Sequence, residues 1–360
     1  MDQKKIISQA LNREELTLEE GLYLYRNLPD AELYFVASEI RKSLHPDGIV
    51  SWIIDRNVNS TNVCISGCKF CSFHRKFNHK ESYTTTRQQY REKIQTMIES
   101  GGEQLLLQGG MHPKYGLPFY VDLFKQLKED FPNLKLHALG PPEIAYIAKK
   151  ERMSFRKVLE KLVAAGLDSL PGAGAEILCD RVRKHLSPGK CSSQDWLDVM
   201  REAHKMRLVT SATMMFGHIE TLEERLKHLI KIRQVQDERP EDSGGFTAFI
   251  PWPYMGSGTV LEKEIGSVKT STREYVRTIA LSRIMLPNIK NIQASWLTVG
   301  KEAGQLCLHA GANDLGSIML EENVVSSTGV RNVMDADEMQ KAIIEAGFIP
   351  RLRNQGYEFV

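Results

Sequence analysis

Apolar positions recur along this 360-residue chain in two alternating rhythms. Leu33, Val36, Ala37 and Ile40 stand at helical spacing and "HPDG" (45–48) breaks the pattern, so residues 1 to about 48 read as an N-terminal helical segment. From there short β-rich runs take over. They are "IVSWII" (49–54), "QLLLQ" (104–108), "LKLHAL" (134–139), "LVTSATMMF" (208–216), "FTAFI" (246–250) and "NIQASW" (291–296), with "LDSL" (167–170) a weaker case. Amphipathic stripes lie between them. Tyr90, Ile94, Met97 and Ile98 form one, stopped by Gly101-Gly102. Phe155, Val158, Leu159 and Leu162 form another, stopped by Gly166; Trp196, Val199, Met200 and Ala203 form a third.

Strand, helix, strand in units of roughly 25 to 40 residues predicts right-handed parallel βαβ crossovers. Six or seven in succession favour an α/β barrel, partial or closed in the manner of a TIM barrel, over an open doubly wound sheet. After residue 300 the pattern is irregular until a last helix. There Asp335 and Glu338 make a capping box, Met339, Ala342, Ile343 and Ala346 the stripe, and Gly347 the stop. The predicted organisation is a helical segment over 1–48, a barrel core over 49–300 and a C-terminal extension over 301–360 packed on the barrel. Ligands of such sheets bind beyond the carboxyl ends of the strands. The loops "QGGMHP" (108–113), "GPPE" (140–143), "PGAGAE" (171–176), "GHIE" (217–220) and "PWPY" (251–254) therefore share one rim with the segment after the first strand.

Composition changes this picture little. Lys plus Arg minus Asp plus Glu is 47 − 45 = +2, without long runs of one sign, which argues against nucleic acid or an anionic membrane as partner. The start "MDQKKIISQA" lacks the apolar core of a signal peptide, and the chain has no stretch of about 18 uncharged apolar residues; a cytoplasmic protein is expected.

The distinctive chemistry is "NVCISGCKFC" (62–71), with Cys64, Cys68 and Cys71 in the spacing Cys-x3-Cys-x2-Cys on the active rim. Cys179, Cys191 and Cys307 are scattered and read as inert thiols. Three thiols are one ligand short of a closed tetrahedral site. A structural zinc completed by His74 or His79 is one reading, with a spacing short for a zinc finger. A [4Fe–4S] cluster with three thiolate-bound irons and one open iron is the other.

The cysteine spacing, with Phe70 before the third cysteine, resembles the signature of the radical S-adenosylmethionine (SAM) superfamily. "LLLQGGMHP", "SLPGAGAEIL", "SATMMFGHIE", "GGFTAFIPWP", "NIQASWLTVG" and "GANDLGSIMLEENVV" follow in the order seen in the branch of futalosine-pathway menaquinone enzymes and deazaflavin-forming synthases. The loop "PYMGSGT" (253–259) departs from that branch's pattern. The resemblance implies a [4Fe–4S] cluster on Cys64, Cys68 and Cys71 whose open iron binds SAM, with reductive cleavage to a 5′-deoxyadenosyl radical. It implies dehypoxanthine futalosine as the substrate: the radical takes the sugar C4′ hydrogen, and the carbon radical closes onto the benzoate ring. Loss of an electron and a proton restores aromaticity. Aminofutalosine formation and a deazaflavin-type synthesis are the alternatives within the branch, and a zinc-stabilised binding protein is the alternative outside it. Flavodoxin or ferredoxin is the expected electron donor.

The same resemblance suggests roles for further residues. Gly109 and Gly110 would let the backbone approach the methionine part of SAM, and Glu176 would face its ribose or amino group. Phe70 would flank the cofactor. By the bidentate chemistry of guanidinium with carboxylate, Arg181, in preference to Arg183, could pair with the methionine carboxylate, solvated helix charges being the competing reading. His218, Glu176 and Asp314 are the candidate proton acceptors; for His218 a satisfied core-edge histidine is the competing reading.

Overall fold

The computed structural model describes residues 1–321, 329 and 332–360. Its ten strands are β1 (Ile49–Ile53), β2 (Asp55–Asn59), β3 (Gln104–Gln108), β4 (Lys135–Ala138), β5 (Ser169–Leu170), β6 (Val209–Phe216), β7 (Phe246–Pro253), β8 (Asn291–Ile292), β9 (Asp314–Ser317) and β10 (Ile349–Leu352). β2 to β8 form one parallel sheet in chain order, with helices in every crossover. β1 lies between β10 and β9 in a second sheet, also parallel. A bridge between Gln293, just past β8, and Asp314 of β9 links the two sheets on one side. The step from β1 to β2 links them on the other.

Residues of both sheets line one cavity, so together they wrap it as a partial barrel. Alternation along each strand decides what faces in. On β3, Leu105 and Leu107 are fully buried against the helical layer while Leu106 and Gln108 line the cavity. On β2, Val58 packs outward and Asp55, Asn57 and Asn59 point inward. The apolar core thus lies between sheet and helices, and the barrel interior carries polar groups.

The helical stripes fold as their spacing predicts, with one exception. Tyr90, Ile94 and Met97 are buried in the helix Arg87–Glu99, but Ile98 is exposed. Leu33, Val36, Ala37 and Ile40 are buried in Asp30–Leu44, and the Asp335–Glu338 capping box opens Ala336–Glu345. Three strand expectations change. "IVSWII" pairs with the C-terminal strands, and the first strand of the seven-stranded sheet is "DRNVN", whose polar residues hid it. β7 runs on through Pro253, which places Trp252 in a strand. "NIQASW" is a strand only over Asn291–Ile292, and Trp296 opens the short helix Trp296–Val299. Residues 322–325, the end of "GANDLGSIMLEENVV", lie outside the described residues. Among the described residues no helix is long and apolar enough to cross a membrane.

Candidate active site

The cavity has a volume of ≈ 420 Å³, within the range of small-molecule sites. Its upper wall is the loop that follows β2. Backbone hydrogen bonds clamp this loop: Cys64 N–H to the Arg75 carbonyl (3.1 Å), Ile65 N–H to that of Met111 (3.1 Å), and Lys69 N–H to that of Leu186 (2.8 Å). Cys64, Cys68 and Cys71 all face the cavity. Ser66 Oγ lies 2.9 Å from Cys64 Sγ and 3.2 Å from Cys68 Sγ, and the Met111 N–H is 3.3 Å from Cys64 Sγ. Burial pushes the Cys64 thiol above its ordinary value in spite of these donors. A metal that binds here must displace that proton.

These residues fit an iron–sulfur cluster better than a zinc ion. Among the described residues no three His, Cys, Asp or Glu side chains are arranged to hold a single ion. His79 is exposed, with Nδ1 accepting from the Glu81 N–H; His74 lines the cavity but turns Nδ1 to the Cys71 carbonyl, 2.9 Å away. Three thiols, two of them with hydroxyl or amide donors on their sulfurs, beside an enclosed space and without a fourth ligand among the described residues, suit a cluster with one open iron.

Gly109 and Gly110 line the cavity as expected, but the space that they leave is used differently. A Cβ on Gly110 would sit 2.1 Å from the Val63 carbonyl oxygen and 2.9 Å from Cys64 Cβ, and one on Gly109 would sit 2.2 Å from Ser60 Oγ. The glycines make room for the cysteine loop itself.

Glu176 is buried and lines the cavity, and its φ of 45° is left-handed. Such a backbone costs energy for a non-glycine residue and collects at functional sites. Its carbonyl accepts from the Met215 N–H at 3.0 Å, and its Oε1 is 2.6 Å from Lys190 Nζ. Lys190 also lies 5.3 Å over the Phe70 ring. Burial disfavours its charge, but neighbouring Cys68 and Glu176 outweigh this and hold its pKa above the ordinary lysine value. Lys190 was not legible from spacing, since nothing distinguishes "GKC" from a surface turn.

Four residues weighed for the site stand elsewhere. Arg181 does not line the cavity: its Nε and Nη2 fork onto Glu224 at 2.7 and 2.6 Å, on a side chain that is 55% exposed. Arg183 is buried and donates to the carbonyls of Gly174, Ala175 and Cys191, bracing the loop that carries Glu176. His218 has no exposed side-chain surface and does not reach the cavity. Its Nε2 donates to the Met215 carbonyl at 3.0 Å, and its Nδ1 is 2.7 Å from the Ile219 N–H and 2.9 Å from Glu220. Against burial, His218, Arg225 and the Gly217 N–H hold the Glu220 carboxyl well below the usual range. Asp314 is fully buried behind the cavity wall, paired with Arg353 at 2.6 and 3.0 Å and accepting from Ser51 Oγ at 2.5 Å. Trp252 and Met215 also line the cavity, while Phe249, Met214 and Trp296 belong to the core.

The cavity has a floor that the sequence did not reveal. Arg353, Gln355 and Tyr357 of the C-terminal tail close it, beside Asp55 of β2 and His137 of β4. Arg353 stacks 3.9 Å over the Tyr357 ring. Burial lowers His137 to about 3, so its ring is neutral at working pH, with Nδ1 2.7 Å from Ser169 Oγ.

Two family descriptions match the chain: "Radical SAM superfamily" over residues 58–232 and "CofH/MqnC C-terminal region" over 243–360. Cyclic dehypoxanthine futalosine synthase of Halalkalibacterium halodurans is 39% identical over 99% of this chain and 94% of its own length. That of Streptomyces coelicolor is 41% identical over 99% of this chain and 88% of its own. The chain belongs to the radical SAM superfamily. Within it, it belongs to the CofH/MqnC family. A 5-amino-6-(D-ribitylamino)uracil–L-tyrosine 4-hydroxyphenyl transferase of Archaeoglobus fulgidus is also similar, at 36% identity over 91% of this chain and 94% of its own. The radical SAM fold is shared with methylornithine synthase, with a TM-score of 0.73 over 97% of this chain and 98% of that one, at 19% identity. Members of the superfamily use a [4Fe–4S] cluster and SAM, the groups that the three-cysteine wall suits.

Proposed function

We propose that this radical SAM protein cyclises dehypoxanthine futalosine to its cyclic product. The observation that carries this is near-full-length identity of 39% and 41% to relatives of that name, which extends over the C-terminal region whose Arg353, Gln355 and Tyr357 close the cavity. When bound, the cluster and SAM supply a 5′-deoxyadenosyl radical able to take the sugar C4′ hydrogen. Everything else falls to the chain. The barrel wall and tail exclude water from a reactive carbon radical. Tyr254 and Met255, in the loop that departs from the family pattern, line the cavity, and the Tyr254 hydroxyl is 2.6 Å from Thr259 Oγ1, which ties the loop into one shape. Of the three candidate proton acceptors only Glu176 faces the cavity, so it takes the proton released as the ring regains aromaticity. We place the protein in the cytoplasm, with flavodoxin or ferredoxin as reductant and neither nucleic acid nor membrane as partner.

Anaerobic incubation of the cluster-loaded protein with SAM, reductant and synthetic dehypoxanthine futalosine should give the cyclic product with 5′-deoxyadenosine. Parallel incubations carry the enolpyruvyl benzoate that leads to aminofutalosine, and 5-amino-6-(D-ribitylamino)uracil with tyrosine. Product from either of these, and none from dehypoxanthine futalosine, would overturn the reading.

The ammonium of Lys190 takes the role that sequence analysis gave to Arg181, as the cation for the methionine carboxylate. A charged hydrogen bond of this kind contributes about 10-fold or more in affinity. Lys190→Met should weaken SAM binding by that factor while Arg181→Gln binds as the parent does. Equal SAM affinity in parent and Lys190→Met protein would remove Lys190 from the site.

A further inference from the structure

Asp55 and Asn57 present an arrangement that neither the cluster nor SAM accounts for. Both line the cavity from the inward face of β2, and they are only 6% and 5% exposed. Asp55 Oδ1 and Asn57 Oδ1 are nevertheless both without a hydrogen-bond partner among the described residues. Buried acceptors left in this state cost stability, and native chains seldom keep two side by side without a use.

Several nearby donors are already engaged. Gln104, the register partner of Asp55 on β3, gives its amide N–H groups to Asp55 Oδ2 (3.3 Å) and Gln355 Oε1 (3.1 Å), which fixes the carboxylate with Oδ1 left over. Arg353 is occupied by Asp314 and by the Asn354 carbonyl at 3.1 Å. Gln355 Nε2 faces His137 Nε2 at 3.5 Å. The hydroxyls of Ser317 and Tyr357 line the cavity as well, and that of Tyr357 is itself without a partner among the described residues, so these groups form a polar floor that a ligand carrying hydroxyls can complete. Burial raises the Asp55 carboxyl above its ordinary value, and hydroxyl groups, which both donate and accept, suit it and the Asn57 oxygen alike. Depth agrees. Asp55 opens a five-residue strand whose far end carries the cysteine loop, which puts it about 13 Å below the rim and leaves room for a nucleoside-sized molecule above.

We propose that Asp55 and Asn57 form a sugar-hydroxyl subsite at the cavity floor, oriented by Gln104, that anchors the substrate's sugar while its aromatic acid lies away from the floor. This rests on the reading of the substrate as dehypoxanthine futalosine, and it makes Asp55 a specificity-determining residue.

The test is a binding cycle on full-length, cluster-loaded protein without reductant, with dissociation constants taken by equilibrium dialysis. The ligands are dehypoxanthine futalosine and its analogues lacking the sugar hydroxyl at C2 or at C3. The parent protein should lose about 10-fold or more in affinity for at least one analogue. Asp55→Asn should bind the complete substrate about that much more weakly, and should discriminate that analogue by no more than about 2-fold. Unchanged affinity in Asp55→Asn overturns the subsite. So does weakened binding with discrimination intact, which would make Asp55 merely structural. If Asp55→Asn protein does not retain its cluster, Asn57→Ser enters the same cycle with the same two outcomes. Parent protein that binds no dehypoxanthine futalosine overturns the substrate reading, and the sugar subsite with it; tight parent binding with a failed cycle overturns the subsite alone.

Discussion

Cys68→Ala protein is expected to hold no [4Fe–4S] cluster, to cleave no SAM and to form no cyclic product. Cys68 is 5% exposed, faces the cavity and shares the Ser66 hydroxyl with Cys64. With three thiols and no fourth ligand among the described residues, the loss of one leaves two, too few to hold a cluster against hydrolysis. Cys191→Ala is the contrast. That thiol does not line the cavity, burial pushes it up to about 11, and nothing at ligand spacing accompanies it. Iron and sulfide content, with 5′-deoxyadenosine formation, reads both variants. Near-parental iron together with SAM cleavage in Cys68→Ala would overturn the assignment of the metal site.

Gly110→Ala should be almost as damaging, for a steric reason. The added Cβ would meet the Val63 carbonyl carbon at 2.6 Å and its oxygen at 2.1 Å, and Cys64 Cβ at 2.9 Å. These are mostly backbone atoms, so no rotamer change relieves the clash and the cysteine loop has to move. Overpacking of this kind costs about 1–3 kcal/mol of stability, and the cluster should be lost with the loop's geometry. A mere effect on SAM affinity, with the cluster intact, would show that the glycine serves the cofactor. Gly244→Ala is the control: its Cβ would meet nothing closer than 3.9 Å, and its stability should stay within about 0.5 kcal/mol of the parent.

Much of the site was legible because its signals are local. Cysteine spacing within ten residues, the strand-end loops and the glycine pair all survive folding in the places that their sequence neighbours dictate. The helical stripes did so too, because burial of one face at 3.6-residue spacing is nearly enough to define a helix. Ile98, in the last turn of its helix, broke the rule and is exposed.

Strand membership was less secure. "IVSWII" is more apolar than "DRNVN", yet the polar run opens the seven-stranded sheet, since its alternate residues face a cavity that water or ligand can fill. Apolar content reports burial against protein, and an inward-facing barrel strand at a binding site is not buried in that sense.

What the sequence by itself determined is the parallel α/β plan, the strand-end rim, and the gathering of Cys64, Cys68 and Cys71 on it. The tertiary structure alone decided which charges reach the cavity. Arg181 and Lys190 are both cations near the Glu176 loop, but one forks outward onto Glu224 and the other turns inward onto Glu176. His218 follows its strand as expected and is then claimed by the Met215 carbonyl and Glu220. Asp55 and the C-terminal residues that close the floor are some 300 positions apart in the chain and meet only because β10 pairs beside β1. The direction in which a side chain points is set by such long-range pairings, and no local spacing records them.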